Sequence, residues 1–343
     1  MRPLEIYLTP KQETLFDMLL KMHKGHIASF CRKNYILVRG EAPVMLVAHL
    51  DTVHHEPVRE ICKTESGNIL MSPQGIGGDD RCGVYALNAV YEQSKVKPWL
   101  LFTCDEEVGG IGAEQFCLKH KEKKLPVELE ELKLLIEIDR KGKNDAVYYD
   151  CANDEFEKYI TSKGFKTQFG SFSDISYIAP ELGIAAVNLS SGYYNAHTPH
   201  EYINRKHLNK TVQKVIEIVA DAVKPDFPQY EYVESVRSFG RFKRGGWDDW
   251  DCGWGGYGSF FSKSKTIPLT QTEIDEEKIL ETLPEDIVDE YFALLDFYTV
   301  EELEELRAEN GDAVISMLCQ SEFGDDYYGM FDTSEDDDGD EEI

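Results

Sequence analysis

Short apolar runs alternate with stretches of helical spacing through the first two-thirds of the chain. Val44-Met45-Leu46-Val47-Ala48, Trp99-Leu100-Leu101-Phe102-Thr103-Cys104, Leu134-Leu135-Ile136-Glu137-Ile138 and Ile184-Ala185-Ala186-Val187-Asn188-Leu189 are apolar on both alternations. A strand with one wet face alternates; runs like these fit strands covered on both faces, as in a parallel sheet between helices. Helical spacing is read over 84–94, 110–120, 154–163, 174–180 and 206–223. An earlier amphipathic helix over 11–23 puts Leu15, Met18, Leu19 and Met22 on one face. The pattern predicts an α/β fold over residues 1–225, a three-layer α/β/α sandwich with a mostly parallel mixed sheet.

Beyond Pro225 the pattern changes. Residues 226–272 hold Gly245-Gly246-Trp247, Trp250, Gly253-Trp254-Gly255-Gly256-Tyr257 and Phe260-Phe261, a glycine and aromatic composition that reads as a linker. Helical periodicity returns over 273–320, with Ile279, Leu283, Ile287, Tyr291, Leu294 and Leu295 on one face, so a small helical region is expected there. Residues 321–343 end in Glu335-Asp336-Asp337-Asp338-Gly339-Asp340-Glu341-Glu342, the composition of a disordered acidic tail.

Charge and cysteine usage narrow the function classes. The net charge is −28, which argues against nucleic-acid binding through a basic face. Much of the acid sits at the C-terminus, where it would suit a basic protein partner. No run of 18 apolar residues predicts a membrane span, and Met1-Arg2-Pro3-Leu4-Glu5 lacks the apolar core of a signal peptide. The eight cysteines are scattered without a Cys-x-x-Cys pair, and a reducing, cytoplasmic location is expected.

Candidate chemistry follows the apolar runs. After Val44–Ala48 come His49-Leu50-Asp51; after Trp99–Cys104 come Asp105-Glu106-Glu107; after Leu134–Ile138 comes Asp139. The segment after Leu189 holds His197-Thr198-Pro199-His200-Glu201. Gly75-Ile76-Gly77-Gly78-Asp79-Asp80-Arg81-Cys82-Gly83 places two carboxylates at the start of a helix, where the dipole favours negative charge. A carboxylate has two oxygens and can bridge two cations, although Gly-Asp-Asp turns commonly only cap helices. In open α/β sheets ligands bind beyond the carboxyl ends of the strands, and two imidazoles with several carboxylates on that rim suit zinc or its first-row neighbours.

In combination these motifs resemble those of the co-catalytic di-zinc exopeptidases and amidohydrolases, the clan of zinc aminopeptidases, peptidase T and acetyl-amino-acid deacylases. The resemblance covers roughly residues 40–225 and runs through His49-Leu50-Asp51, Gly78-Asp79-Asp80, Asp105-Glu106-Glu107-Val108-Gly109-Gly110, Ile138-Asp139 and His197-Thr198-Pro199-His200-Glu201. It implies two Zn2+ per chain, with Co2+ or Mn2+ as alternatives. His49, Asp79 and Asp139 would hold one, and Asp79, Glu107 and His197 the other. It further implies Glu106 as general base, Asp51 as the carboxylate orienting His49, and Asp80 near a substrate's free amine. Asp80 is equally placed to cap its helix.

The substrate would be a peptide or an N-acyl amino acid, with an aminopeptidase on short peptides favoured by Asp80. A deacylase, or a peptidase-fold interaction protein using the acidic extension, stands as the alternative. Only 58 positions separate Asp139 from His197 and 30 separate His49 from Asp79. Both intervals are too short for the domains inserted there in many members, so the resemblance does not extend to a lid or to the oligomers built with one. Among other candidates, Arg140 suits either a substrate carboxylate or the offset of local charge. His200 suits a substrate contact or a structural role. Ser173-Asp174 has no histidine arrangement to make the serine a nucleophile. His54, His55, His120 and His207 have no ligand-type company, and surface roles are expected.

Overall fold

The computed structural model describes residues 2–54, 56–149, 151, 153–170, 172–233, 283–284, 287–295 and 298–323. Most of the linker reading and the acidic tail beyond residue 323 therefore lie outside the described residues, as does His55. The chain divides into two compact units, Met1–Glu234 and Ser235–Ile343.

The first unit is built on an eight-stranded sheet in the order β1 (Ile27–Cys31), β2 (Tyr35–Val38), β6 (Trp99–Thr103), β3 (Val44–His49), β7 (Leu134–Arg140), β10 (Ala186–Ser190), β8 (Asp145–Val147), β9 (Lys166–Gln168). The four central strands β6, β3, β7 and β10 are parallel, while β2 pairs antiparallel with β6 and β8 antiparallel with β10. The double-sided apolar runs form these central strands. Val44, Leu46 and Ala48 pack on one face with Leu100, Phe102, Ile136 and Val187; Met45 and Val47 pack on the other with Leu101, Leu135 and Ala186. That two-residue alternation buries each strand on both sides.

The helices cover both faces. α2 (Gln12–Met22), α3 (Gly78–Gln93), α5 (Asp154–Ser162) and α7 (Arg205–Ala222) bury apolar residues in the first layer. α4 (Ile111–Lys121) and α6 (Ile175–Leu182) bury theirs in the second, so the fold is a mostly parallel mixed sheet between helical layers. A short helix α1 (Glu5–Leu8) precedes α2. Among the described residues no helix is long and apolar enough to cross a membrane.

A second, antiparallel sheet joins β11 (Tyr193–Tyr194), β12 (Tyr202–Asn204), β5 (Ile69–Met71) and β4 (Cys62–Lys63). Its strands are two or three residues long and partly polar, too short to leave a periodic trace. Its importance is positional. Because β12 pairs with β5, the turn after β5 lies beside the 195–201 segment that precedes β12.

α3 begins at Gly78, six residues before its apolar periodicity becomes visible, because its first turn is Gly-Asp-Asp. Asp79 and Asp80 keep non-helical dihedral angles there. At Gly83 the helix passes so close to β7 that a Cβ would stand 2.2 Å from the Ile138 carbonyl oxygen and 2.2 Å from Asp80 Oδ2. Gly83→Ala is expected to cost about 1–3 kcal/mol by overpacking. In a thermal melt that corresponds to a fall in Tm of roughly 2–12 °C for a unit of this size; an unchanged Tm would show that the helix can shift away freely.

Described residues of the second unit form helices Val288–Leu294, Val300–Asn310 and Ala313–Phe323. Tyr291, Leu294, Leu295, Leu303, Ile315 and Cys319 are buried among them. The middle helix starts with a reciprocal cap, in which Glu302 N donates to Thr299 Oγ1 at 3.3 Å and Thr299 N donates to Glu302 Oε2 at 2.8 Å.

Candidate metal centre

The carboxyl ends of the parallel strands and the second sheet converge on one cluster. His49 is the last residue of β3 and Asp139 lies near the end of β7. Glu106 and Glu107 follow β6, Asp79 opens α3, and His197 sits in the segment between β11 and β12. Among the described residues His49, Asp79 and Asp139 form one group whose ligand atoms lie within 4.8 Å of one another, and Asp79, Glu107 and His197 form a second.

Asp79 is common to both groups and divides its oxygens between them. Oδ1 is 3.1 Å from His49 Nε2, and Oδ2 is 3.2 Å from His197 Nε2. Asp139 Oδ1 lies 3.5 Å from His49 Nε2, and Glu107 Oε2 lies 3.2 Å from His197 Nε2. His197 takes a left-handed backbone conformation, φ 61°, strained for a residue with a side chain. Thr198 holds that turn, its hydroxyl donating to Asn195 O at 2.9 Å and accepting from His200 N at 3.2 Å.

Asp51 ties two pieces of the cluster together. Its Oδ1 lies 3.2 Å from His49 Nδ1, which leaves Nε2 turned toward Asp79. The same carboxylate accepts from Glu106 N and Glu107 N, each at 3.1 Å, and so also fixes the loop after β6. Burial alone would raise the Asp51 pKa, but His49 and these backbone donors bring it below the ordinary aspartate range.

The electrostatics are set by carboxylates crowded around two imidazoles. Burial would raise Asp79, yet hydrogen bonds from His197 and His49 outweigh it and hold the carboxylate well below its usual range. Burial would lower His197, but Asp79 and Glu107 push it up to about 11. Asp139 is raised by burial and then by the charge of Asp79, and Glu106 by burial and the carboxylates of Asp174, Asp139 and Glu107. Glu107 Oε1 is buried without a hydrogen-bond partner. Two imidazole nitrogens and three carboxylates, one carboxylate facing both groups and two buried oxygens, of Glu107 and Asp139, left without a hydrogen bond, fit a pair of divalent cations of the zinc type.

The structure places Asp80 differently from the residues above. It has no exposed surface, and its Oδ1 accepts from Gly83 N at 2.9 Å, closing the first turn of α3. Of its two expected roles, capping is the one this geometry serves; a substrate amine would find no accessible surface of Asp80 to meet. Arg140 is also buried, with Nη2 donating to Phe169 O at 3.0 Å. Ser173 is buried and its hydroxyl donates to Glu137. His200 is exposed beside the cluster, while His120 pairs with Glu181 and His207 with the Tyr194 hydroxyl.

The supporting roles of several residues are not visible in the sequence. Glu201 is fully buried; its Oε1 accepts from Asp79 N at 3.0 Å, and its Oε2 accepts from Gly77 N at 2.9 Å and lies 2.8 Å from His54 Nε2. It therefore anchors the turn that carries the shared aspartate, and His54, expected at the surface, is its partner. Glu137 and Asp174 lie beneath the cluster, the latter accepting from the Thr103 hydroxyl. The one available signal was Glu137 itself, a charge inside an otherwise apolar strand.

No protein-family model matches the chain, and no curated protein matches it. Among solved structures it is similar to an aminopeptidase from Bacillus cereus, at 14% identity and TM-score 0.47, over 64% of this chain and 97% of that one. A tripeptidase from Staphylococcus aureus is similar at 16% identity and TM-score 0.46, over 64% and 96%. An aminopeptidase from the archaeon Desulfurococcus kamchatkensis is similar at 13% identity and TM-score 0.48, over 63% and 95%. At such identities and scores, the function has to be read from this chain's own residues.

Proposed function

We propose that the first unit is a metal-dependent hydrolase of peptide bonds, a zinc aminopeptidase acting on short peptides. The observation that carries this reading is the shared position of Asp79, one oxygen toward each group of ligands, with Glu106 beside the ligand Glu107. His49, Asp79 and Asp139 would hold one cation and Asp79, Glu107 and His197 the other. Bound there, two divalent cations supply Lewis acidity that lowers the pKa of water and polarises a carbonyl. Co2+ or Mn2+ would suit the same donors.

The chain's own residues do the rest. Glu106 accepts a proton from the attacking water and delivers it to the leaving nitrogen. Asp51 fixes the loop bearing Glu106 through two backbone N–H groups and orients His49. Glu201 fixes the turn bearing Asp79. With Glu106 and Asp51 counted, five carboxylates face two dications, and the remaining negative charge favours a substrate that brings an ammonium. Burial of Asp80 favours a second reading, an amidohydrolase of N-acyl amino acids or peptides, because it removes one carboxylate expected to recognise a free amine.

A mixture of free and N-acetylated short peptides, incubated with zinc- or cobalt-loaded protein and read by mass spectrometry, separates the two. Loss of single amino-terminal residues from the free peptides alone is the expected result. Release of acetyl groups would move the protein to the amidohydrolases, and no turnover of either kind by metal-loaded protein would sink the hydrolase reading.

A further inference from the structure

Asp139 stands at an irregularity of the central sheet. Asn188 of β10 faces Glu137 of β7 and Ser190 faces Arg140, so Ile138 and Asp139 together oppose the single residue Leu189. On the other side, the pairing of β3 with β7 ends at Val47 and Glu137. Asp139 thus sits on a β-bulge, paired with a residue of neither neighbouring strand. A bulge bends its strand and re-aims the side chain it carries. The side chain aimed here is the one whose Oδ1 lies 3.5 Å from His49 Nε2.

A bulge also takes backbone groups out of the ladder, and a buried backbone group then needs another partner. Both backbone groups of Asp139 find theirs in a side chain. The N–H donates to Asn188 Oδ1 at 2.9 Å, and the carbonyl accepts from the Tyr193 hydroxyl at 2.7 Å. These two side chains are buried and come from different elements, β10 and β11. Asn188 is itself held in place. Its Nδ2 donates to Ser173 Oγ and to the Tyr149 hydroxyl, each at 3.3 Å, and Ser173 donates in turn to Glu137. An amide inside an apolar central strand is costly to bury unless its polar atoms are used, and here the oxygen is spent on one backbone N–H.

We infer that Asn188 and Tyr193 are positioning residues for the cation held by His49, Asp79 and Asp139, and that they set its affinity separately from that of its neighbour. The inference rests on the proposed metal centre. Neither residue belongs to a ligand group, and both act on Asp139, which the second group does not share. Removing a partner that orients a metal ligand commonly weakens metal binding about 10–100-fold.

Chelator-competition titration of the metal-free full chain with Zn2+ tests this. The wild-type chain is expected to show two stepwise binding constants. Asn188→Leu keeps the bulk of the side chain without its amide. It should weaken one step roughly 10–100-fold and leave the other at its wild-type value. Asp139→Ala should abolish that same step. Because the leucine leaves a buried N–H unpaired, with a folding cost of its own, Tyr193→Phe serves as the second variant. It removes only the hydroxyl donor, keeps the buried ring, and should weaken the same step about tenfold. Wild-type constants for both steps in a variant that melts cooperatively overturn the inference and leave the metal centre standing, as does an equal loss in both steps. A wild-type chain that takes up no metal overturns the centre and the inference with it.

Discussion

Glu106→Gln is expected to lower kcat by about 10²–10⁴-fold, the usual contribution of a positioned general base. The amide keeps the size of the carboxylate but does not take a proton from water. Because Glu106 belongs to neither ligand group, two metals should still bind, which elemental analysis of the purified variant checks. The Glu106 and Glu107 backbone N–H groups that donate to Asp51 are also unchanged by the substitution, so the loop should hold its position. A variant that binds both cations and retains wild-type kcat would remove Glu106 from the chemistry.

The second large effect is expected from the metals themselves. A cation that binds only the folded protein stabilises it by about 4 kcal/mol when present at a thousand times its Kd. For a unit of this size that is roughly 8–16 °C in Tm. Here the gain has an evident source, since Asp79, Asp139, Glu107, Glu106 and Asp51 are drawn into one region with only two imidazoles among them. Chelation should therefore lower Tm by that amount and abolish turnover together, both restored by zinc.

Loading should also release protons. Without metal, His197 is pushed up to about 11 and His49 lies well above its ordinary value, burial opposing the shift and carboxylates overcoming it. His197 is then protonated at neutral pH, and an imidazole must lose such a proton to become a ligand. About one proton from His197 should appear in titrations compared across buffers of different ionisation enthalpy. Affinity consequently falls as pH falls, since protons compete for the same nitrogens. Loading without any proton release would mean that His197 is not a ligand.

What could be read in advance, and what could not, follows the range of the interactions. The central strands were visible because burial on both faces leaves an uninterrupted apolar run, as in Val44–Ala48. The edge strand β1, the four-residue inner strand β2 and the small second sheet were not, because runs of two to five residues are too short to show a period. The five ligand-type residues stand out since each follows an apolar run or opens a helix. Their second partners do not: Glu201 and His54 are 147 positions apart, and only the pairing of β12 with β5 brings them together. Asp80 shows the limit of reading one residue by its neighbour. Asp79 turns to the two imidazoles and Asp80 to the Gly83 amide, and both keep non-helical dihedral angles inside the first turn of α3.

The five ligand-type residues come from separate stretches of chain, from His49 to His197, and no two in one group come from the same stretch. No fragment of this protein should hold a metal with useful affinity, because each half-formed subset offers only one or two donors. A metal bound there would act as a fastener closed last, when β3, β6, β7, α3 and the β11–β12 segment have all reached their places. A metal-dependent signal, such as the visible spectrum of a cobalt-loaded sample, would then report completion of the entire first unit during refolding, where a local probe would report only its own strand.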